Sequence, residues 1–192
     1  MSFYDDEEDL GIGDGAEDED ETEDEEEETP MGKLKRSALL HYLDEKFGGT
    51  GSPVWFLIGK DVEDMSVELN PQVETIRNIL DEQSANDTGY EPSVSVDTYY
   101  ADPSDGDFYE KIKAIAMGRL TGEDCITTIL EVIVDKVSGP YDAWTEDVIV
   151  KPTSYGGATG GVRIPYQITF IGNRKPGTVT LTNRVPVFSA AT

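Results

Sequence analysis

The sequence predicts a mainly β domain with one flanking α-helix, sandwich-like or barrel-like in form, behind an acidic segment expected to be disordered. Three observations carry this reading. From residue 53 onward, short β-branched runs of alternating polarity recur, broken by Gly, Pro and Asn. Only one segment, 103–122, switches to helical spacing. Residues 1–29 hold seventeen Asp and Glu and no Lys or Arg. So little apolar surface and so much like charge cannot offset the entropy of ordering, so residues 1–30 are expected to stand apart from a domain spanning 31–192.

The remaining residues hold 23 acids against 15 bases, so the body is only mildly acidic although the chain carries −25. An acidic surface argues against a broad phosphate-binding face, because affinity for nucleic acid rests on Lys and Arg. Cys125 is the only cysteine, which excludes a disulfide within the chain and fits synthesis in a reducing compartment. No apolar run approaches the ~18 residues of a membrane span, and no signal segment opens the chain. A soluble protein made in the cytoplasm, with no membrane partner, is the expectation. Met31 ahead of "GKLKRS" is either an ordinary internal methionine or an older start upstream of which the acidic segment was added.

Residues 35–49 are ambiguous. Leu39, Leu43 and Phe47 fall at helical spacing, while Leu40 and Tyr42 fit a strand. "PVWFLIGK" (53–60) is rich in β-formers, with Gly59 marking a bend or bulge. Met65, Val67 and Leu69 alternate with polar residues, Asn70-Pro71 makes a turn, and "VETIRNIL" (73–80) resumes as a strand. The polar stretch 81–92 reads as a loop, long enough to be functional or disordered. "SVSVDTYY" (93–100) alternates again.

In 103–122, Phe108, Ile112, Ile115 and Leu120 share a helical face, Ser104 with Asp107 resembles a capping box, and Gly122 can close the helix. Strands are then expected at 126–137, 147–155, 162–172 and 178–183. Many strands with one helix imply a closed or sandwiched antiparallel sheet with the helix packed on one side.

Catalytic constellations are missing from the pattern. The only histidine, His41 in "LLHYL", sits inside an element and reads as packed or surface-facing, and one His with one Cys does not make a zinc site in a single chain. Aligning Gly106 to the glycine of a calcium loop puts Ala101 and Pro103 at ligand positions, so that pattern fails. "SYGGATGGVRIP" lacks the Lys-Ser/Thr ending of a phosphate loop and leads into a strand, which fits a mobile loop between strands. No cofactor and no metal are expected, and the chain is not expected to be an enzyme.

Three pieces of the body, in order, are Trp55 with Leu57-Ile58-Gly59-Lys60-Asp61, the turn "NPQVET" with Asn70, Pro71 and Glu74, and "VKPTSYGG" from Val150 through Pro152 to Gly157. With their spacing, they make the stretch from about Leu40 to Leu181 resemble the major tail, or tail tube, proteins of long-tailed, siphovirus-like bacteriophages. The acidic residues 1–30 fall outside the resemblance.

The resemblance implies a tail tube fold whose subunits join their sheets into a hexameric ring around a β-barrel lumen. Rings stack into the tube that delivers the genome. It implies a structural virion protein, made in the host cytoplasm, whose partners are copies of itself with tape-measure, tail-terminator and distal-tail proteins. DNA passes through the lumen without specific binding. Candidate inter-ring or inter-subunit segments are then Asn86, Asp87, Gly89 and Tyr90 in 81–92, and Tyr155, Gly156 and Gly157 in 153–161; each is equally readable as a plain surface loop. Alternatives are the inner tube of a contractile tail or injection device, and an acidic DNA mimic or basic-protein chaperone acting through residues 5–28.

Overall fold

An eight-stranded antiparallel sheet curls into a half-barrel, with one helix packed on one of its faces. The computed structural model of the chain describes residues 32–48 and 51–191; the acidic segment lies outside the described residues. In chain order the strands are β1 (Leu39–Asp44), β2 (Trp55–Ile58), β3 (Val67–Glu68), β4 (Pro71–Arg77), β5 (Gln83–Tyr90) and β6 (Ser93–Val96). After helix α1 (Asp107–Gly118) come β7 (Ile126–Ile133), β8 (Tyr141–Pro152), β9 (Tyr166–Thr182) and β10 (Val185–Ala190). The sheet order is β2-β1-β7-β8-β9-β6-β3, β10 also pairs with β9, and β4 with β5 makes a separate two-stranded hairpin.

Period-two alternation divides the core into two clusters on opposite faces. On β1, Leu43 packs in the larger cluster and Tyr42 in the smaller; on β7, Ile129 and Leu130 divide the same way. The larger cluster lies under α1. Phe108, fully buried, stacks on Phe56 at 4.0 Å between ring centroids and meets the edges of Tyr99 at 5.4 Å and Tyr166 at 5.9 Å. Offset and edge-on aromatic contacts of this kind add to the apolar area they bury. The smaller cluster packs Tyr42, Leu130, Val132 and Ala143 against Trp55, Val179, Leu181 and Phe188, so β2 and the β9–β10 hairpin face the same apolar layer.

Strand β9 spans the whole body. Its first residues pair with β6, its last with β10, and β8 accompanies it along both parts. Register shifts between Thr145 and Asp147 and between Asp147 and Val148 mark the middle of β8, opposite Gly172 at φ +101°. Bulges bend a strand and raise its local twist, and these lie between the part of β9 that pairs with β6 and the part that pairs with β10.

Several elements differ from the sequence expectation. The ambiguous stretch 35–49 is strand β1 behind a short 3-10 turn, Arg36–Ala38. It lies between β2 and β7 with buried residues on both faces, which is why its apolar residues do not alternate cleanly. The polar stretch 81–92 is not a loop, since it contains β5, paired residue by residue with β4. Of 65–69 only Val67–Glu68 is strand, with Met65 buried and Leu69 exposed.

The capping box does not form. Asp102 instead accepts from the Ser104 amide at 2.9 Å, and Gly106 at φ +65° precedes α1 without a side-chain cap. The helix ends on Arg119 in the left-handed region rather than on Gly122, which opens a further 3-10 turn, Gly122–Cys125. Phe108, Ile112 and Ile115 are buried as spaced, with Ala116 completing the face, while Leu120 packs on the core from beyond the helix. Strand β8 starts earlier than expected, the expected strands 162–172 and 178–183 are one strand through Gly172 and Pro176, and β10 is additional.

Candidate assembly surfaces

Hairpin β4–β5 is the most exposed part of the described chain. Every residue of β4 is exposed, and in β5 only Gly89 is half-buried. An isolated two-stranded hairpin is marginal in water, so something local must hold this one. Two asparagines do. At the base, Asn70 adopts φ +44° and its Nδ2 donates to the Glu91 carbonyl at 3.1 Å, with longer bonds to the Glu68 carbonyl and Ser93 Oγ at 3.4 Å. At the tip, Asn78 Oδ1 accepts from the amides of Leu80 at 2.9 Å and Glu82 at 3.0 Å, and its Nδ2 donates to Glu82 Oε2 at 2.7 Å. These bonds fix a tight turn that leaves Ile79 fully exposed and Leu80 73% exposed.

The expected site residues fall on this arm and on one loop. Pro71 opens β4, and Glu74 stands opposite Asn86, both exposed. Gln72 pairs with Gly89 and Val73 with Asp87, so Thr88 is the extra residue of a β-bulge. Gly89 takes φ +106° there, and its amide donates to Asp87 Oδ1 at 2.9 Å. Tyr90, at the end of β5, is exposed.

The second group lies between β8, which ends on half-buried Pro152, and β9. Gly156 pairs with Arg163, and Tyr155 is exposed. A Cβ on Gly157 would collide with the Gly161 carbonyl oxygen, so the loop needs glycine at that point. Its far side is held by Arg163, which donates to Tyr100 Oη at 2.7 Å and lies 4.9 Å from the Tyr100 ring centroid. The remaining positions are structural. Trp55 is half-buried on β2 against the smaller cluster, and Gly59 at φ +133° turns the chain out of β2.

A polar cluster runs from the sheet interior out to exposed Arg174. Arg174 Nη1 lies 2.8 Å from Glu131 on β7 and 2.8 Å from Glu146 on β8, both carboxylates buried, with the guanidinium 5.6 Å from the Trp144 ring. His41 is packed, 1% exposed, with Nε2 3.5 Å from Glu131 Oε1 in a geometry that makes no hydrogen bond. Burial pushes the Glu131 carboxyl up, but the His41 imidazole and the Arg174 guanidinium outweigh it and hold the group below the ordinary glutamate range. On the helix side, Lys60 Nζ bonds Asp102 at 2.7 Å and, with the Ser104 amide, holds that carboxyl far below the ordinary range. Tyr99 donates to Asp105 at 3.1 Å, and burial with the Asp105 charge raises its hydroxyl.

What the sequence reading missed is the tip. The period of 73–80 carries the expected strand through Ile79 and Leu80, where the chain turns instead, and the signal for that turn is Asn78 followed by Asp81 and Glu82. No protein-family model matches the chain, and no curated protein matches it.

Proposed function

We propose that the protein is a structural subunit that assembles with copies of itself into stacked hexameric rings, forming the tail tube of a long-tailed bacteriophage. The observation that carries this reading is the β4–β5 arm. It presents Val73 and Ile76 to solvent on strand β4, and Ile79 and Leu80 on a turn pinned by hydrogen bonds. Apolar side chains on an ordered projection gain only when another surface covers them.

The sheet supports the same reading. Each of β2, β3 and β10 has one strand partner, so a curled sheet is left with open edges. Open edges invite pairing, and closure of copies into a ring satisfies them. Residues Trp55, Asn70, Pro71, Glu74 and Pro152, which carry the resemblance, hold the edge strand, the base and first strand of the arm and the end of β8. No catalysis is involved. DNA passes down a lumen whose acidic body repels it, and lysines placed on the lumen wall are expected to slow ejection.

Negative-stain electron microscopy of the concentrated protein tests the reading. Hexameric rings or hollow tubes are expected, and a strictly monomeric protein at every concentration overturns it. The same assay on a chain lacking residues 1–30 separates the acidic-mimic alternative, since rings still form if the body is the assembling unit.

A further inference from the structure

The arm needs a receiving surface, and the same chain has an apolar groove flanked by lysines, opposite in charge to the carboxylates of the tip. At the start of the body, Leu34, Ala38 and Val134 floor a groove of about 410 Å³, with Lys33 and Lys35 along its rim. Leu34 is 52% exposed, and the Val134 amide bonds the Ala38 carbonyl at 2.8 Å, so the groove floor is anchored to the sheet. Among the described residues neither lysine forms an ion pair. The tip carries the opposite pattern, two apolar side chains followed by Asp81, in an exposed pair with Arg77 at 3.7 Å, and Glu82, which accepts from Asn78 Nδ2; exposed pairs of this kind are weak and exchange partners readily.

We propose that the Ile79–Leu80 tip of one copy seats in the lysine-rimmed groove of a neighbouring copy, with Asp81 and Glu82 meeting Lys33 and Lys35. The inference rests on the self-assembly reading and names the contact that reading requires. Three properties point to a second copy rather than an unrelated partner. Tip and groove both belong to the described residues of one chain, so every copy offers both halves in equal number. The two patches differ, so the contact is heterologous, and heterologous contacts propagate into rings or stacks instead of stopping at a dimer. The tip is also ordered before it binds, through Asn78, which lowers the entropic cost of docking.

The charged rim adds salt dependence. Exposed pairs are screened over about 10 Å at 0.1 M salt, so association through this contact weakens as salt rises, while the apolar seat persists.

Cross-linking between differently marked copies tests the contact. Full-length Leu80→Cys is mixed with full-length Leu34→Cys, assembled, and treated with a short bis-maleimide. Native Cys125 is buried with its thiol bonded to the Leu120 carbonyl, so it does not compete. A covalent dimer is expected from this mixture and not from Leu80→Cys mixed with Met117→Cys, which is exposed on α1. Equal cross-linking in both mixtures, or none in the first, overturns the proposal.

Electron microscopy of the same samples keeps the two ideas apart. Tubes without the cross-link sink the docking contact and leave the tube reading standing; the cross-link without rings or tubes does the reverse. As a second measurement, Ile79→Ser with Leu80→Ser is expected to weaken association at least tenfold by sedimentation at an unchanged melting temperature. Undiminished association in that variant also overturns the contact.

Discussion

The Tyr42 hydroxyl donates to the Arg184 carbonyl at 2.9 Å, joining strand β1 to the β9–β10 turn across 142 positions of sequence. Tyr42 is otherwise apolar in its surroundings, 1% exposed in the smaller cluster, and burial raises its hydroxyl above the usual tyrosine range. The bond is therefore what orients the only polar atom of that ring. Tyr42→Phe keeps the ring and removes the bond. Because Arg184 is exposed and water can satisfy its carbonyl, the cost falls at about 0.5–1.5 kcal/mol rather than that of a stranded group. Urea denaturation of both proteins measures it, and a loss beyond about 3 kcal/mol would mean the cluster itself had changed.

Phe108 ties the helix to the core through three aromatic contacts. Its ring touches Phe56, Tyr99 and Tyr166, contributed by three different parts of the chain. Phe108→Ala is expected to cost about 3–5 kcal/mol, and Phe108→Leu clearly less, since it refills much of the void. Denaturation midpoints order the two variants, and equal midpoints would show that volume at this site does not matter.

Acid stability should track Glu131. Its folded value lies below the ordinary one, so the unfolded chain binds the proton more readily as pH falls. The stabilisation is present above the unfolded value of about 4.3 and is lost as pH drops through the folded value. Glu131→Gln removes that titration. It is expected to lose about 1–3 kcal/mol at neutral pH and to show a flatter decline below pH ~4.3. Thermal melts across that range decide it, and parallel acid limbs would place the titration elsewhere.

Gly177 carries the β9–β10 contact without a side chain. A Cβ there would meet the Ser189 carbonyl oxygen and, at 2.6 Å, the far atoms of the Phe188 ring. The ring can turn away, but the Ser189 backbone cannot without opening the pair. Gly177→Ala is expected to destabilise by about 1–3 kcal/mol, the usual range for overpacking. A calorimetric melt reads the loss, and an unchanged melting temperature would show that β10 yields freely.

Where strands have one buried face, as in β6, or hold apolar runs, as in β2 and β7, the sequence period led to the right element. It failed where that condition fails. Strand β1 buries residues on both faces, so Leu39, Leu43 and Phe47 imitate helical spacing. Strand β5 buries neither face, so "QSANDTGY" carries no period and reads as loop. Strand β9 runs through Gly172 and Pro176, two residues that ordinarily punctuate, because a bulge and the partner strands absorb them. Among the candidate surfaces, the segments holding Tyr90 and Tyr155 stand out by composition. The tip does not, since exposure of Ile79 and Leu80 is a property of the turn Asn78 builds, and the groove is made by residues 100 positions apart, Leu34 and Val134.

Hairpin β4–β5 also sets two separate clocks in one molecule. Amide protons on β7, β8 and β9 are released only when both apolar clusters come apart, whereas those of the arm need only its own short ladder to open. In a free subunit the arm should exchange with deuterium while the sheet stays protected. If the proposed contact covers the tip, the fast clock slows toward the other, and the exchange rate of the arm then gauges how many arms are engaged.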